Sequence, residues 1–314
     1  VTTQAGCNAS VSGVTFVIPN PLADFNPLNA CTNKDVVFSN LSTLSFGNIA
    51  SWEWTKYDLN NQAIASSSLT HPSFNFDSSG LYNLRLIATS NFNCKDTIIK
   101  QINVRKTPEI DFSYGVSCIG LPVNFREETQ LEPWESIIER KWWFGDGNTS
   151  QQINPINAYS NKGYYSVMLY NKSINGCSDT ISKQIKVSAI PTAEFIYSDP
   201  CTNKEVQFTD QSFIANDTIN TWHWTFNNSI LSIEQNPKLH FPLIGNYNVE
   251  LEVTSVNMCK SKKSASFTVN PAPQADFNMY PEYGIAPLEV NFINLSQGAN
   301  NFSWNFGDGN FSLI

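Results

Sequence analysis

The sequence predicts an all-β chain, a tandem array of antiparallel β-sandwiches forming an elongated rod. Three observations lead there. A cysteine, thirteen residues and a proline recur four times, as Cys7/Pro21, Cys94/Pro108, Cys177/Pro191 and Cys259/Pro273. Four residues past each proline stands a phenylalanine: Phe25, Phe112, Phe195 and Phe277, at intervals of 87, 83 and 82 residues. A fixed period of that size marks an array of similar domains. Within each repeat, apolar and polar residues alternate in short runs, the period of a half-buried strand.

The elements follow in order along each repeat. Residues 1–21 read as the C-terminal end of a preceding repeat. Complete repeats are expected at 22–108, 109–191 and 192–273, and 274–314 reads as the start of a further one, so both ends look like cuts in a longer chain. After the entry strand comes an alternating pair, Val36/Phe38, Val123/Phe125, Val206/Phe208 and Val290/Phe292. A tryptophan strand is next: SWEWTKYD, KWWFGDGN, TWHWTFNN and FSWNFGDG. Then Gly-x-Tyr-x-(Leu/Val)-x-Leu opens a strand at Gly80, Gly163 and Gly245, and Ile102/Val104, Ile185/Val187 and Phe267/Val269 close the repeat. Trp54, Trp142, Trp224 and Trp304 fall where an immunoglobulin-like sandwich buries a tryptophan between its sheets, so they are expected in the cores.

Composition sets outer limits. Charged residues make up 15% of the 314 and the net charge is −8, which excludes nucleic acid as a natural partner. No apolar run approaches the roughly 20 residues of a membrane helix, so no direct membrane insertion is expected. Residue 1 is valine and no signal peptide is visible.

The seven cysteines form two classes: Cys7, Cys94, Cys177 and Cys259, and Cys31, Cys118 and Cys201. Cys31, Cys118 and Cys201 each lie 24 residues beyond a member of the first class. Repeated positions favour disulfides and an oxidising, extracytoplasmic location; zinc would need short pairs that are absent. Two pairing schemes stand open. Within repeats, Cys31 joins Cys94, Cys118 joins Cys177, Cys201 joins Cys259, and Cys7 pairs upstream. Between repeats, Cys31 joins Cys177 and Cys118 joins Cys259, leaving Cys7, Cys94 and Cys201 for partners outside these residues. The two classes fall at opposite ends of a sandwich, about 20 Å apart for a six-residue strand. A disulfide spans at most about 7 Å between Cα atoms, which favours the second scheme.

The turn sequences WWFGDG at 142–147 and WNFGDG at 304–309, with the later Gly-x-Tyr-x-Val-x-Leu, resemble the polycystic kidney disease (PKD) domain. Lys-Tyr-Asp at 56–58 and Asn-Asn-Ser at 227–229 depart from that signature, and those two repeats are placed by register. The resemblance implies tandem immunoglobulin-like, PKD-type sandwiches. In Gly-Asp-Gly the glycines allow positive φ and the aspartate caps its own turn. Asp146 and Asp308 are also weak calcium candidates, weak because a site needs about six to eight oxygens. NFNCKDTI at 91–98 and NGCSDTIS at 175–182 look like turns in cell-surface proteins of Bacteroidota, including gliding adhesins exported by the type IX system. That resemblance implies an extracellular, surface-bound protein and O-glycosylation candidates at Thr97, Thr180 and Thr218. Surface polysaccharide or other cell-surface proteins are the partners it implies, beside neighbouring repeats of the same chain.

No catalytic constellation is visible. His71, His223 and His240 lack metal-ligand spacing, and no nucleophile elbow or phosphate loop occurs. No cofactor is expected. The acidic insertion REETQLEPWES at 126–136 belongs to one repeat alone, and its Trp134 is expected either folded back on its own domain or exposed for binding. The expected function is a non-catalytic stalk or spacer of a large secreted cell-surface adhesin that presents distal binding regions, in adhesion or gliding motility. The alternative is an accessory PKD region of a secreted hydrolase, a protease or polysaccharide-degrading enzyme.

Overall fold

A computed structural model describes residues 1–2, 4–227 and 229–313. Every regular element among them is a β-strand, and the chain is a series of tandem β-sandwich domains. The residues group into two compact units. The first comprises Val1–Ser113, Phe125–Pro155 and Ser166–Gln184; the second comprises Tyr114–Asn124, Ile156–Tyr165 and Ile185–Ile314.

In the first unit a five-stranded sheet runs in the order Asn29–Cys31, Lys95–Arg105, Gly80–Ser90, Ile49–Tyr57, Ala63–Ser67. Its first pair is parallel and the rest are antiparallel. Short pairs made by Phe25–Asn26 with Ser39–Asn40 and by Val36–Val37 with Ser73–Phe74 supply the other layer. Alternation along Gly80–Ser90 sends Tyr82, Leu84, Leu86 and Ala88 into the core. Trp54 lies opposite Leu86 and is fully buried, with its ring edge on Phe25 at 5.1 Å. In the same unit Ile137–Trp143 pairs with residues 168–173, placing Trp142 opposite Leu169 and 5.2 Å from Phe112.

The second unit repeats the plan. Ile230–Ser232, Ile219–Phe226, Gly245–Ser255 and Lys260–Val269 form a four-stranded sheet, and Phe195–Tyr197, Glu205–Asp210 and Lys238–His240 a three-stranded one. Trp224 is opposite Leu251 and fully buried. Residues 277–313 add the pairs Phe277–Tyr280 with Asn291–Asn294 and Ser303–Asn305 with Phe311–Leu313.

Two devices recur because burying an aromatic ring that carries an N–H or O–H requires a partner for it. The indole N–H groups of Trp54, Trp142 and Trp224 donate to the carbonyls of Leu69, Gln152 and Glu234 at 2.9–3.0 Å. The hydroxyls of Tyr82, Tyr165 and Tyr247 each donate to the carbonyl four residues upstream, at 2.9–3.1 Å, the corner that immunoglobulin-like sandwiches use. A register shift also recurs at the start of three tryptophan strands, at Ile49/Ser51, Ile137/Glu139 and Ile219/Thr221.

Three regions depart from the plan of the complete repeats, and in one of them Trp304 departs from its expected place in a core. Among the described residues of 1–21 there is no strand, only the bridge Thr2↔Asn8, and Val11, Val14 and Phe16 are exposed. Trp304 touches Phe277 and Phe292 but stays half-buried, because 277–313 hold no counterpart of the Gly-x-Tyr strand. Lys56 occupies the buried place that Phe144 and Phe226 fill in other repeats. Its stem is packed inside, its ammonium lies 4.7 Å from the Phe76 centroid and donates to Asn75 O, and burial pulls its pKa down.

Candidate functional site

The two disulfides lie at the cysteine loops. The first is built on Cys31-Thr32-Asn33-Lys34. Cys31 ends a strand and faces Arg105 in parallel register. Thr32 N donates to Arg105 O at 2.9 Å, and Thr32 Oγ1 accepts from Thr107 N at 3.0 Å. Asn33 turns the chain with φ +57°, a conformation asparagine tolerates well. The residue before Pro108 is thereby tied to the loop that carries Cys31. Cys118 is held alike: it bridges Ser188 in parallel, and Ile119 N donates to Ser188 O at 2.9 Å.

The other cysteine class sits in a hairpin turn. Ser173 N donates to Cys177 O at 2.8 Å and Gly176 N to Ser173 O at 2.9 Å, with Gly176 at φ +87°. Ser255 and Cys259 make the same 2.9 Å bond, with Met258 at φ +66°. Cys31 is bonded to Cys177 and Cys118 to Cys259, with Cα atoms 5.7 and 5.8 Å apart, inside the span a disulfide allows. Each bond therefore joins the loop of one sandwich to the hairpin turn of the next, the between-repeat scheme. Beside the first bond, Lys34 Nζ lies 2.7 Å from Asp179 Oδ1. Cys7, Cys94 and Cys201 are outside both disulfides.

The remaining sequence candidates are placed as follows. Trp54, Trp142 and Trp224 are core; Trp304 is half-buried as described. Asp146 Oδ1 accepts from Asn148 N at 2.9 Å and Oδ2 from its amide at 3.0 Å; Asp308 does the same with Asn310. Those bonds, the backbone one first, hold the Asp308 carboxyl below its usual range. Both carboxylates cap their own turns, and among the described residues no three His, Cys, Asp or Glu gather as metal ligands. Thr97, Thr180 and Thr218 are all exposed. His71 Nδ1 accepts from Asn40 N at 3.1 Å, while His223 and His240 are exposed on strands.

Trp134 is not folded back: it is 73% exposed. Its loop is nonetheless pinned. Lys106 Nζ lies 3.1 Å from Glu109 and 3.8 Å from Glu132, Glu135 Oε1 accepts from Asn175 at 2.6 Å, and Ile174 N donates to Ser136 O at 2.9 Å. The bond to Glu109, before all else, raises the Lys106 pKa.

Sequence reading missed one repeated ion pair. The acid just before three of the entry phenylalanines, Asp24, Asp111 or Glu194, pairs with Lys100, Lys183 or Lys263 of the closing strand. In each case the lysine's hydrogen bond is the largest cause of a lowered carboxylate pKa. The signal was available in the sequence, since an acid precedes all of Phe25, Phe112 and Phe195.

Residues 105–187 match the PKD domain family. Over 72 residues the chain is 33% identical to a microbial collagenase of Vibrio alginolyticus, a match covering 23% of this chain and 9% of that protein. Over 137 residues it is 31% identical to the pre-pro-metalloprotease PrtV of Vibrio cholerae, covering 43% of this chain and 15% of that protein. The chain thus spans a small fraction of these relatives. Among solved structures, the PKD1 domain of Vibrio cholerae PrtV aligns at 33% identity with a TM-score of 0.24, over 26% of this chain and 96% of that one. The PKD1 domain of Vibrio anguillarum Epp aligns at 22% identity and TM-score 0.25, with the same coverage.

Proposed function

We propose that this chain is a non-catalytic stalk segment of a large extracellular protein, a cell-surface adhesin whose distal regions do the binding. The observation that carries the reading is the pair of disulfides joining successive sandwiches, Cys31–Cys177 and Cys118–Cys259. A bond between sandwiches restricts the hinge that separates them, which is what a spacer under load requires and what a catalytic cleft does not. Oxidised cysteines also suit an extracytoplasmic setting. The Asp-Thr turns with exposed Thr97, Thr180 and Thr218 support surface display through type IX export, with the three threonines as glycan acceptors.

Replacement tests the role. In the full-length protein, residues 1–314 are exchanged for unrelated tandem sandwiches equal in number. A spacer predicts that surface adhesion and gliding persist; their loss would overturn it. Small-angle scattering must also report an extended particle, and a compact one would refute the stalk.

A second reading has its own support. The likeness of 105–187 to PKD domains, and the identity shared with a collagenase and a metalloprotease, favour an accessory region of a secreted hydrolase. Protease activity of the full-length protein, with insoluble substrate affected more than soluble substrate when 1–314 is deleted, would select it.

A further inference from the structure

The loop that carries Cys31 has a twin. Residues 31–34 and 201–204 are both Cys-Thr-Asn-Lys, and the structure holds them in the same way. Cys201 bridges Asn270 in parallel as Cys31 faces Arg105. Thr202 N donates to Asn270 O at 2.9 Å, the bond that Thr32 makes to Arg105 O at the same distance. Thr202 Oγ1 accepts from Ala272 N at 3.0 Å, as Thr32 Oγ1 accepts from Thr107 N. Asn203 has φ +60° against +57° for Asn33. The loops differ in one backbone bond each, Asn33 N to Phe76 O in the first and Lys204 N to Cys201 O in the second, and in their ligands. Cys31 holds Cys177, and Lys34 holds Asp179 two residues beyond it. Cys201 is a free thiol, and Lys204 is exposed with no carboxylate partner among the described residues.

We propose that Cys201 and Lys204 form a docking site for a hairpin turn of sequence Cys-x-Asp on another sandwich of this kind. The cysteine would be bonded to Cys201 and the aspartate paired with Lys204. The proposal does not rest on the thiol alone. A loop of the same sequence, with the threonine bonds in common, binds both elements of such a turn in this chain. Cys118 supplies a partial contrast: it has the disulfide, but its loop reads Cys-Ile-Gly-Leu and its partner turn Cys259-Lys-Ser has no acid. Lysine and aspartate therefore occur or are missing together at the two bonded junctions, as expected if they form a recognition pair. The turn at Cys94-Lys95-Asp96 is the matching ligand type: Ser90 N donates to Cys94 O at 2.8 Å and Asn93 has φ +63°, the geometry of the Cys177 turn.

The test uses the whole 314-residue chain and a peptide spanning residues 172–183. Its single cysteine, Cys177, is supplied as the mixed disulfide with thionitrobenzoate. Cys201 thiolate attacks the peptide sulfur, the sulfur–sulfur bond to thionitrobenzoate breaks, and that thiolate leaves with the electron pair. No oxidant is consumed. Mass spectrometry of non-reduced digests gives the labelling rate at Cys201, Cys94 and Cys7 at low salt, where an exposed ion pair is least screened. We expect Cys201 to take this peptide about two- to fivefold faster than one carrying Asp179→Lys, the worth of one exposed ion pair. The protein variant Lys204→Glu, on the surface and outside any core, should invert that preference. Equal rates for both peptides at Cys201, or a preference unmoved by Lys204→Glu, would overturn the proposal. In the protein isolated from its source, Cys201 bonded to a cysteine that precedes an aspartate by two residues supports it, and Cys201 found reduced overturns it.

Discussion

Lys34 and Asp179 lie 145 residues apart in sequence and 2.7 Å apart in space, three residues beyond Cys31 and two beyond Cys177, which are bonded to each other. The ion pair and the disulfide grip the same hairpin turn from the same loop, but they differ in weight. Both charged groups are more than 40% exposed, so the ion pair contributes about 0–1 kcal/mol. The disulfide closes a separation of 146 residues, for which chain entropy predicts about 5 kcal/mol, with about 2–5 typical on removal. Replacing Cys31 and Cys177 together by serine should lower unfolding free energy by about 2–5 kcal/mol, whereas Lys34→Ala should lower it by less than about 1 kcal/mol. Denaturant titration of the two variants checks the order; similar losses would contradict it.

The same bonds set the reach of the chain under tension. Their separations of 146 and 141 residues overlap, so a chain pulled from its ends takes a short covalent path through both sulfur bridges. Reduction should roughly double the fully stretched length, since each freed residue adds about 3.3–3.6 Å. Single-molecule extension with and without a reductant measures this directly, and unchanged lengths would mean the bridges are absent.

Acid should weaken the sandwiches through a known set of groups. Asp24, Asp111 and Glu194 have folded pKa values below their ordinary 3.8, 3.8 and 4.5, chiefly because Lys100, Lys183 and Lys263 donate to them. A lowered carboxylate pKa means stability that is present above the unfolded value and lost as pH falls through the folded one. Thermal midpoints followed from about pH 6 down to about pH 2 should therefore drop below the ordinary carboxylate range. The triple variant Asp24→Asn, Asp111→Asn, Glu194→Gln should flatten that drop; an equally steep decline would assign it to other groups.

The buried tryptophans should dominate single-site losses. Trp142 is fully buried among Phe112, Phe125 and Phe144, and its N–H is satisfied by Gln152 O. Trp142→Ala removes the ring and leaves that carbonyl without its donor, at a cost of about 3–5 kcal/mol. Trp134→Ala, on a side chain 73% exposed, should stay within about 0.5 kcal/mol. Chemical denaturation of both variants discriminates core from surface.

Two glycines of one turn should respond unequally to alanine. Gly145 and Gly147 both have positive φ, +81° and +96°. A Cβ at Gly145 would meet Ser166 O at 2.9 Å, while one at Gly147 meets nothing within 4 Å. Gly147→Ala carries only the backbone strain, about 1–2 kcal/mol, and Gly145→Ala should lose more because a backbone carbonyl must also move. Equal midpoints for the two variants would show that the turn relaxes freely.

The sequence by itself determined the local structure of this chain. Strand alternation, the Gly-Asp-Gly turn and the placing of Trp54, Trp142 and Trp224 in cores depend on neighbours a few residues away, and such patterns are written along the chain. The acids before Phe25, Phe112 and Phe195 were equally visible, but nothing local says that a lysine about 70 residues later will meet them. Tertiary structure alone decided the rest. Two cysteine pairings were compatible with one spacing, and the ends of the strands in space chose Cys31–Cys177 and Cys118–Cys259. Lys56 stands where the motif departs from its signature, and its register with Leu84 puts its stem in the core and its ammonium at Asn75 O. Trp134 lies outside any core because Lys106 and Asn175 hold its loop from both sides. Each of these outcomes depends on which distant groups approach within a few ångströms, a quantity that short-range pattern does not encode.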